Sequence, residues 1–187
     1  MIRALFLLST VLVMMGGCSS IPQITNSPQE SSILLVEGAF KHHAEDNFQE
    51  VVLEDITSPQ SPTIVAGKRL EGYWLFECPG TRYRIRKLRG TSQLLKTQFT
   101  VQTNVKFSMN PGHVIYLGRF IINVKEGEIL GTDIESNYLA NREAALKTMF
   151  KHYGETAWGK VVAFELIHSE KAAEYERLLN YMRKSNP

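Results

Sequence analysis

Three arginines alternate along one segment of the chain and could together bind an anion. Arg82, Arg84 and Arg86 are each separated by a single apolar or aromatic residue. Because successive side chains of a β-strand point to opposite faces, the three guanidinium groups would share one face. A guanidinium can bind a phosphate or a carboxylate through two parallel hydrogen bonds. The spacing therefore predicts a candidate anion- or partner-binding face.

The same arginines also fit an ordinary solvated face of a sheet. In this alternative they pair across strands with acids such as Glu71 or Glu77. Lys87 and Arg89 break the alternation, which indicates a β-bulge close to them. The sequence leaves both interpretations open, and the solvated face is the more common of the two.

One short segment gathers residue types that bind metals. His42 and His43 are followed closely by Glu45 and Asp46. Zinc needs such ligands to converge at about 2.0–2.2 Å, whereas adjacent histidines in a strand point in opposite directions. We therefore expect a solvated loop here, with no metal and no cofactor in the protein.

Signatures of common catalytic sites are missing from the chain. It has no G-x-S-x-G elbow, no HExxH motif and no paired cysteines with zinc spacing. Cys78 ends an apolar strand pattern, where burial would raise the thiol pKa and oppose attack by the thiolate. We expect an inert, buried Cys78, no catalytic residues and no enzymatic activity. A hydrolase with an unrecognised site is the alternative.

The amino terminus has the features of an export signal. Arg3 precedes an apolar run from Ala4 to Met15, and Gly16 and Gly17 follow as small residues before Cys18. This order is typical of a secretory signal peptide. The run is roughly 18 Å long as a helix, whereas a membrane span needs about 20 apolar residues. It is therefore too short to be a resident transmembrane helix.

The small pair followed by Cys18 resembles the lipobox of bacterial lipoproteins. The resemblance implies that residues 1–17 are removed as a signal peptide and that Cys18 carries lipid, such as palmitate. In that family a residue other than Asp after the cysteine, here Ser19, implies sorting to the outer membrane. The expected partners are then the membrane, through the anchor, and an envelope protein or an anionic glycan or lipid.

Without residues 1–17 the chain is nearly neutral, and it begins with a polar stretch. Removing Arg3 lowers the 21 basic residues to 20 against 19 acidic ones, so the net charge is near +1. Neither this balance nor export favours nucleic acid as a partner. Residues 18–32 are rich in Ser, Pro, Gln and Asn, which predicts a flexible tether behind the lipidated cysteine.

Residues 33–135 contain seven or so short strand patterns separated by turn residues. Pro79-Gly80-Thr81 predicts a hairpin between the strand patterns at residues 70–78 and 83–88. Asn110-Pro111-Gly112 is a second turn of this kind. Because no helical pattern lies between the strands, the sequence predicts a mainly β protein, an antiparallel β-sandwich.

Residues 136–187 change to helical patterns and should pack on the sandwich. Leu139 to Tyr153 predicts one helix and Ser169 to Lys184 another. Periodicity cannot decide whether Val161 to Ile167 is strand or helix. Trp158 lies between small neighbours, and we expect it to hold the helical segment against the sheets.

The turn Cys78-Pro79-Gly80-Thr81 between two strands, with a second Pro-Gly before Tyr116-Leu117-Gly118, resembles carboxypeptidase regulatory-like domains. These are prealbumin-like sandwiches, and bacterial lipoproteins of unknown function carry similar ones. The resemblance covers about Ser32 to Leu130 and implies the fold without an activity. The sequence as a whole predicts an envelope lipoprotein that acts as a non-catalytic structural or binding module.

Overall fold

A computed structural model of the chain describes residues 21–40, 47–92, 97–125, 128–134 and 138–168. In these residues the chain is mainly β, with two sheets followed by two helices. The elements are β1 (Ser32–Phe40), β2 (Asn47–Asp55), β3 (Thr63–Val65), β4 (Gly67–Leu70), β5 (Tyr73–Cys78), β6 (Arg82–Ser92), β7 (Thr97–Ser108), β8 (Val114–Lys125), β9 (Glu128–Ile134) and α1 (Tyr138–Tyr153). A second helix, α2, covers residues 157–168.

The strands form a five-stranded sheet, in the order β4-β5-β1-β8-β9, and a four-stranded sheet, in the order β3-β2-β6-β7. One pair differs from the predicted antiparallel arrangement, because β1 and β8 are parallel, with Ile33 opposite Val114 at the start of their pairing. The chain returns from the four-stranded sheet beside the start of β1, where the Ile33 amide donates a 2.9 Å hydrogen bond to the carbonyl of His113. β8 therefore leaves this point in the same direction as β1.

The main core lies between the two sheets. Alternate residues of β6, Tyr83 and Ile85, point into it and are fully buried. Among the residues that the other strands contribute are Leu34, Val36, Leu53, Phe76, Phe120 and Ile122. Period-two alternation in the strands thus separates this core from the outer face that carries the arginines.

A second core lies on the other side of the five-stranded sheet, under the helices. The four residues from Ile33 to Val36 have no exposed surface, because β1 is covered on both faces. Its continuous apolar run is typical of a strand covered in this way. The helical side of this core includes Leu146, Met149, Trp158 and Val162.

Both Pro-Gly turns connect the sheets rather than neighbouring strands of one sheet. The predicted hairpin at Pro79-Gly80-Thr81 is wrong, because β5 pairs with β1 and β4 while β6 pairs with β2 and β7. A Pro-Gly turn reverses the chain locally, but partners elsewhere in the sequence decide which strands pair. The predicted bulge is confirmed by a register shift between Ile85 and Lys87.

The helical segment agrees with the sequence where the two can be compared. α1 ends at Tyr153 and is followed by Gly154, whose amide donates a 2.8 Å hydrogen bond to the carbonyl of Phe150. The undecided stretch, residues 161–167, is helical and belongs to α2. The helix predicted from Ser169 to Lys184 lies outside the described residues. Among the helices that are described, none has the length and apolar character needed to span a bilayer.

Residues 21–31, which we name the N-terminal segment, differ from the predicted flexible tether. They lie against the helices and the five-stranded sheet, and β1 begins directly afterwards at Ser32. Pro28 and Ser31 are buried, and Ile24 packs on the second core. Residues 18–20, the remainder of the predicted tether, lie outside the described part of the chain.

Candidate functional site

The predicted arginine face lies on the outer surface of the four-stranded sheet. Arg84 of β6 lies directly opposite Glu54 of β2. Arg84 donates to Glu54 Oε2 from Nε at 3.0 Å and from Nη2 at 2.5 Å. Arg86 donates from Nη1 to the other carboxylate oxygen at 2.9 Å. One carboxylate therefore holds two of the three arginines in fixed positions.

Glu54 is a buried carboxylate, with 4 % of its side chain exposed. Burial pushes its pKa upward, but the hydrogen bonds and charges of Arg84 and Arg86 outweigh burial, so the pKa lies below its usual value. The predicted partners Glu71 and Glu77 are wrong, because Glu71 pairs with Lys151 and Glu77 with Lys68. Only the pairing of β2 with β6 brings Glu54 opposite the arginines, and no local sequence signal reveals that pairing.

Cations remain in excess on this outer surface. Lys106 of β7 lies directly opposite Arg84, on the side away from Glu54. Arg86 is 59 % exposed, and Arg82 is exposed with no ion pair to any residue that the structure describes. Glu50 lies 3.3 Å from Arg89. We define the basic face as Arg82, Arg84, Arg86, Arg89 and Lys106.

Glu77 fixes the N-terminal segment on the opposite side of the molecule. Its Oε2 accepts three hydrogen bonds of 2.9 Å, from the Thr25 amide, the Thr25 hydroxyl and the Asn26 amide. Its Oε1 pairs with Lys68 at 2.7 Å. Burial alone would raise the pKa of Glu77. The hydrogen bonds from Lys68, Thr25 and Asn26 have the larger effect, so the pKa lies below its usual value. No local sequence pattern indicates this role of Glu77.

Two aromatic side chains of the helical layer complete the attachment of the segment. Trp158 is 3 % exposed, and its indole N–H donates a 2.9 Å hydrogen bond to the carbonyl of Asn26. The Tyr153 hydroxyl donates a 2.5 Å hydrogen bond to the carbonyl of Pro22. Trp158 thus packs the helices on the sheet as predicted, and it also holds the N-terminal segment.

A cleft of about 380 Å³ lies between the start of this segment and the turn that joins the helices. Most of its lining is apolar, and the side chain of Ile21 at its rim is 52 % exposed. The lining residues are Ile21, Pro22, Gln23, Ile24, Tyr153, Thr156 and Trp158. We name it the anchor cleft, because Cys18, the predicted lipid attachment residue, precedes Ile21 by three positions. Cys18 itself lies outside the described residues.

Cys78 is fully buried, in agreement with the sequence. Burial, reinforced by the negative charges of Asp55 and Glu77, raises the pKa of its thiol to about 12. Its sulfur lies 3.8 Å from the carbonyl oxygen of Phe76. At neutral pH the thiol is protonated and inaccessible, so it cannot act as a nucleophile.

The histidines that the structure describes do not form a metal site. His42, His43, Glu45 and Asp46 lie outside the described residues. His152 contacts Glu71, and His113 contacts Glu165. No group of three or more His, Cys, Asp or Glu side chains in the described ranges is placed to hold a metal ion.

Comparisons with protein-family models, curated proteins and solved structures found no match. The prealbumin-like fold type and the lipidation of Cys18 stay predictions from the sequence patterns described above.

Proposed function

We propose that the chain is a lipid-anchored protein of the bacterial cell envelope whose folded body is a non-catalytic binding module. The anchor is the acylated Cys18, and Ser19 favours the outer membrane as its location. The ligand is an anionic envelope polymer or an acidic protein, bound through the basic face. We further propose that the two packed sheets belong to the prealbumin-like type, which the two Pro-Gly turns support.

The observation that carries the binding role is the position of Arg84 between Glu54 and Lys106. Like charges directly opposite each other destabilise a sheet by up to about 1 kcal/mol. Glu54 offsets part of this repulsion, and a bound anion would relieve the rest. Arg86 is already oriented by Glu54, so it loses little side-chain entropy when its remaining N–H groups bind a ligand.

The attached N-terminal segment supports the anchoring role. Only Ser19 and Ser20 separate Cys18 from Ile21, where the segment begins. Three residues of extended chain span at most about 11 Å. An acylated Cys18 would therefore hold the folded body directly at the membrane surface.

Mass spectrometry of the protein purified from its own membranes tests the anchor. We expect the chain to start at Cys18 and to carry acyl groups, and Cys18→Ala should block both processing and membrane retention. A full-length, unmodified chain in the cytosol would contradict the proposal.

Binding to an immobilised sulfated polysaccharide, as a model polyanion, tests the basic face. The double variant Arg82→Gln/Arg86→Gln should elute at clearly lower salt, because the lost contacts are electrostatic. Lys147→Gln/Lys160→Gln removes the same charge from the helical layer and serves as the matched control. Equal losses in the two variants would show a general charge effect instead of a site.

A further inference from the structure

We propose that the anchor cleft rests on the lipid surface that holds Cys18, so that the domain is docked on the membrane by its helical side. This inference rests on the proposed lipid anchor and adds a contact surface and an orientation to it. The occupant is the interfacial region of the bilayer itself.

The short connection to Cys18 places the cleft at the membrane. The acyl chains of Cys18 would lie in the hydrocarbon core, and Ile21 can be at most about 11 Å from Cys18. The interfacial layer of a bilayer is about 5–7 Å thick on each side. Ile21 therefore lies within or beside that layer, whatever direction the two intervening serines take.

The chemistry of the cleft suits this location. Ile21, Pro22 and Ile24 form one wall, and Tyr153 and Trp158 belong to the other. Tyr and Trp are enriched where membranes meet water. Their polar groups already bond to backbone carbonyls of the segment, and only a small part of each ring faces the cleft, since Tyr153 is 5 % and Trp158 3 % exposed.

Two exposed apolar side chains belong to the same layer of the fold as the cleft. Ile21 is 52 % exposed. Phe150 of α1, whose ring lies close to Gly154 at the end of that helix, is 43 % exposed. Contact with the acyl–headgroup boundary would remove both from water, as in other proteins that bind membrane interfaces. The cleft thus presents an apolar surface on the same side as the anchor.

The layered fold then determines what the basic face can reach. The helices and the N-terminal segment cover one side of the five-stranded sheet, and the four-stranded sheet covers the other. The basic face is the outer surface of that last layer. A domain docked by the anchor cleft consequently leaves the basic face open to a ligand in the aqueous compartment.

Quenching of Trp158 fluorescence by brominated lipids tests the docking. The chain has two tryptophans, so Trp74→Phe leaves Trp158 as the single reporter. The mature lipoprotein with this change is reconstituted in phosphatidylcholine vesicles whose acyl chains carry bromine near the headgroup. We expect quenching of Trp158 emission relative to vesicles without bromine.

Two isoleucine variants in this background locate the contact. Ile21→Ser should lose most of the quenching, whereas Ile64→Ser should keep it, since Ile64 is 71 % exposed but lies on β3 opposite Glu54. Circular dichroism checks that both variants are folded. Vesicle flotation of each sample separately reports whether the lipid anchor holds the protein.

The outcomes distinguish this inference from the proposed function. Flotation with quenching that Ile21→Ser removes supports docking by the anchor cleft. Flotation without quenching, or with quenching that Ile21→Ser leaves unchanged, overturns docking by this surface and leaves the anchor intact. Failure to float overturns the anchor, and the inference fails with it.

Discussion

The indole N–H of Trp158 donates a 2.9 Å hydrogen bond to the carbonyl of Asn26, 132 positions earlier in the chain. It joins the helical layer to the N-terminal segment, on the side of the five-stranded sheet away from the four-stranded sheet. Together with Glu77, it makes the segment next to the predicted acylation site part of the folded body.

Replacing each tryptophan by phenylalanine separates this hydrogen bond from ring packing. Trp158→Phe leaves the Asn26 carbonyl without its donor and should cost about 1 kcal/mol of unfolding free energy for the bond, plus some packing. Trp74 is the matched control, because its buried Nε1 has no hydrogen-bond acceptor among the described residues. Trp74→Phe should therefore cost less in urea unfolding, and equal losses would show that the Asn26 bond contributes nothing.

Acid should release the N-terminal segment through Glu77. Because the pKa of Glu77 is lowered from its ordinary value of 4.5 in the folded state, its stabilising contribution is complete above that pH. The contribution is lost as the pH falls through the folded pKa. Hydrogen exchange at the Thr25 and Asn26 amides should therefore accelerate below about pH 4.5, beyond its intrinsic pH dependence.

Two neutralising variants test this pH dependence. Glu77→Gln should expose the same two amides to exchange already at neutral pH and flatten their pH dependence. Glu155→Gln removes an exposed carboxylate on the turn between the helices and should leave the exchange unchanged. An unaltered acid response in Glu77→Gln would assign the release to another group.

A methyl group at Gly159 should disturb the junction of the two helices. A Cβ there would overlap the carbonyl oxygen of Gly154, a backbone atom that cannot move aside easily. Gly159→Ala should cost about 1–3 kcal/mol of unfolding free energy. At Gly72 a Cβ meets no atom within 4 Å, so Gly72→Ala should stay within roughly 0.5 kcal/mol of the parent. Similar thermal unfolding of the two variants would contradict the predicted overlap.

The thiol of Cys78 should react only when the protein unfolds. Its pKa of about 12 and its complete burial keep it protonated and shielded at pH 8. A maleimide reagent should leave Cys78 unlabelled in the native protein and label it fully in urea. Rapid labelling of the native protein would show that β5 opens readily.

Local patterns predicted the directions of side chains well. The alternation in β6 correctly places Arg84 outward and Tyr83 inward, and the end of α1 follows from Gly154. These features depend on residues close together in sequence, whose geometry the period of a strand or a helix determines.

Features that depend on distant partners could not be predicted. Glu54 meets the arginines only through the register of β2 against β6. The N-terminal segment has no apolar period of its own, and it is ordered by Glu77 and Trp158, whose roles no local motif marks. The turn at Pro79-Gly80 shows the same limit, since it specifies a chain reversal without specifying the sheet that follows.

The parallel pairing of β1 with β8 has a consequence for how the chain folds. The first strand acquires this neighbour only after the whole four-stranded sheet has been traversed, so a long loop must close before the pair can form. Until then the apolar run from Ile33 to Val36 lacks part of its cover and can associate with other chains. A chain truncated before Val114 would keep this run exposed, and we expect it to aggregate.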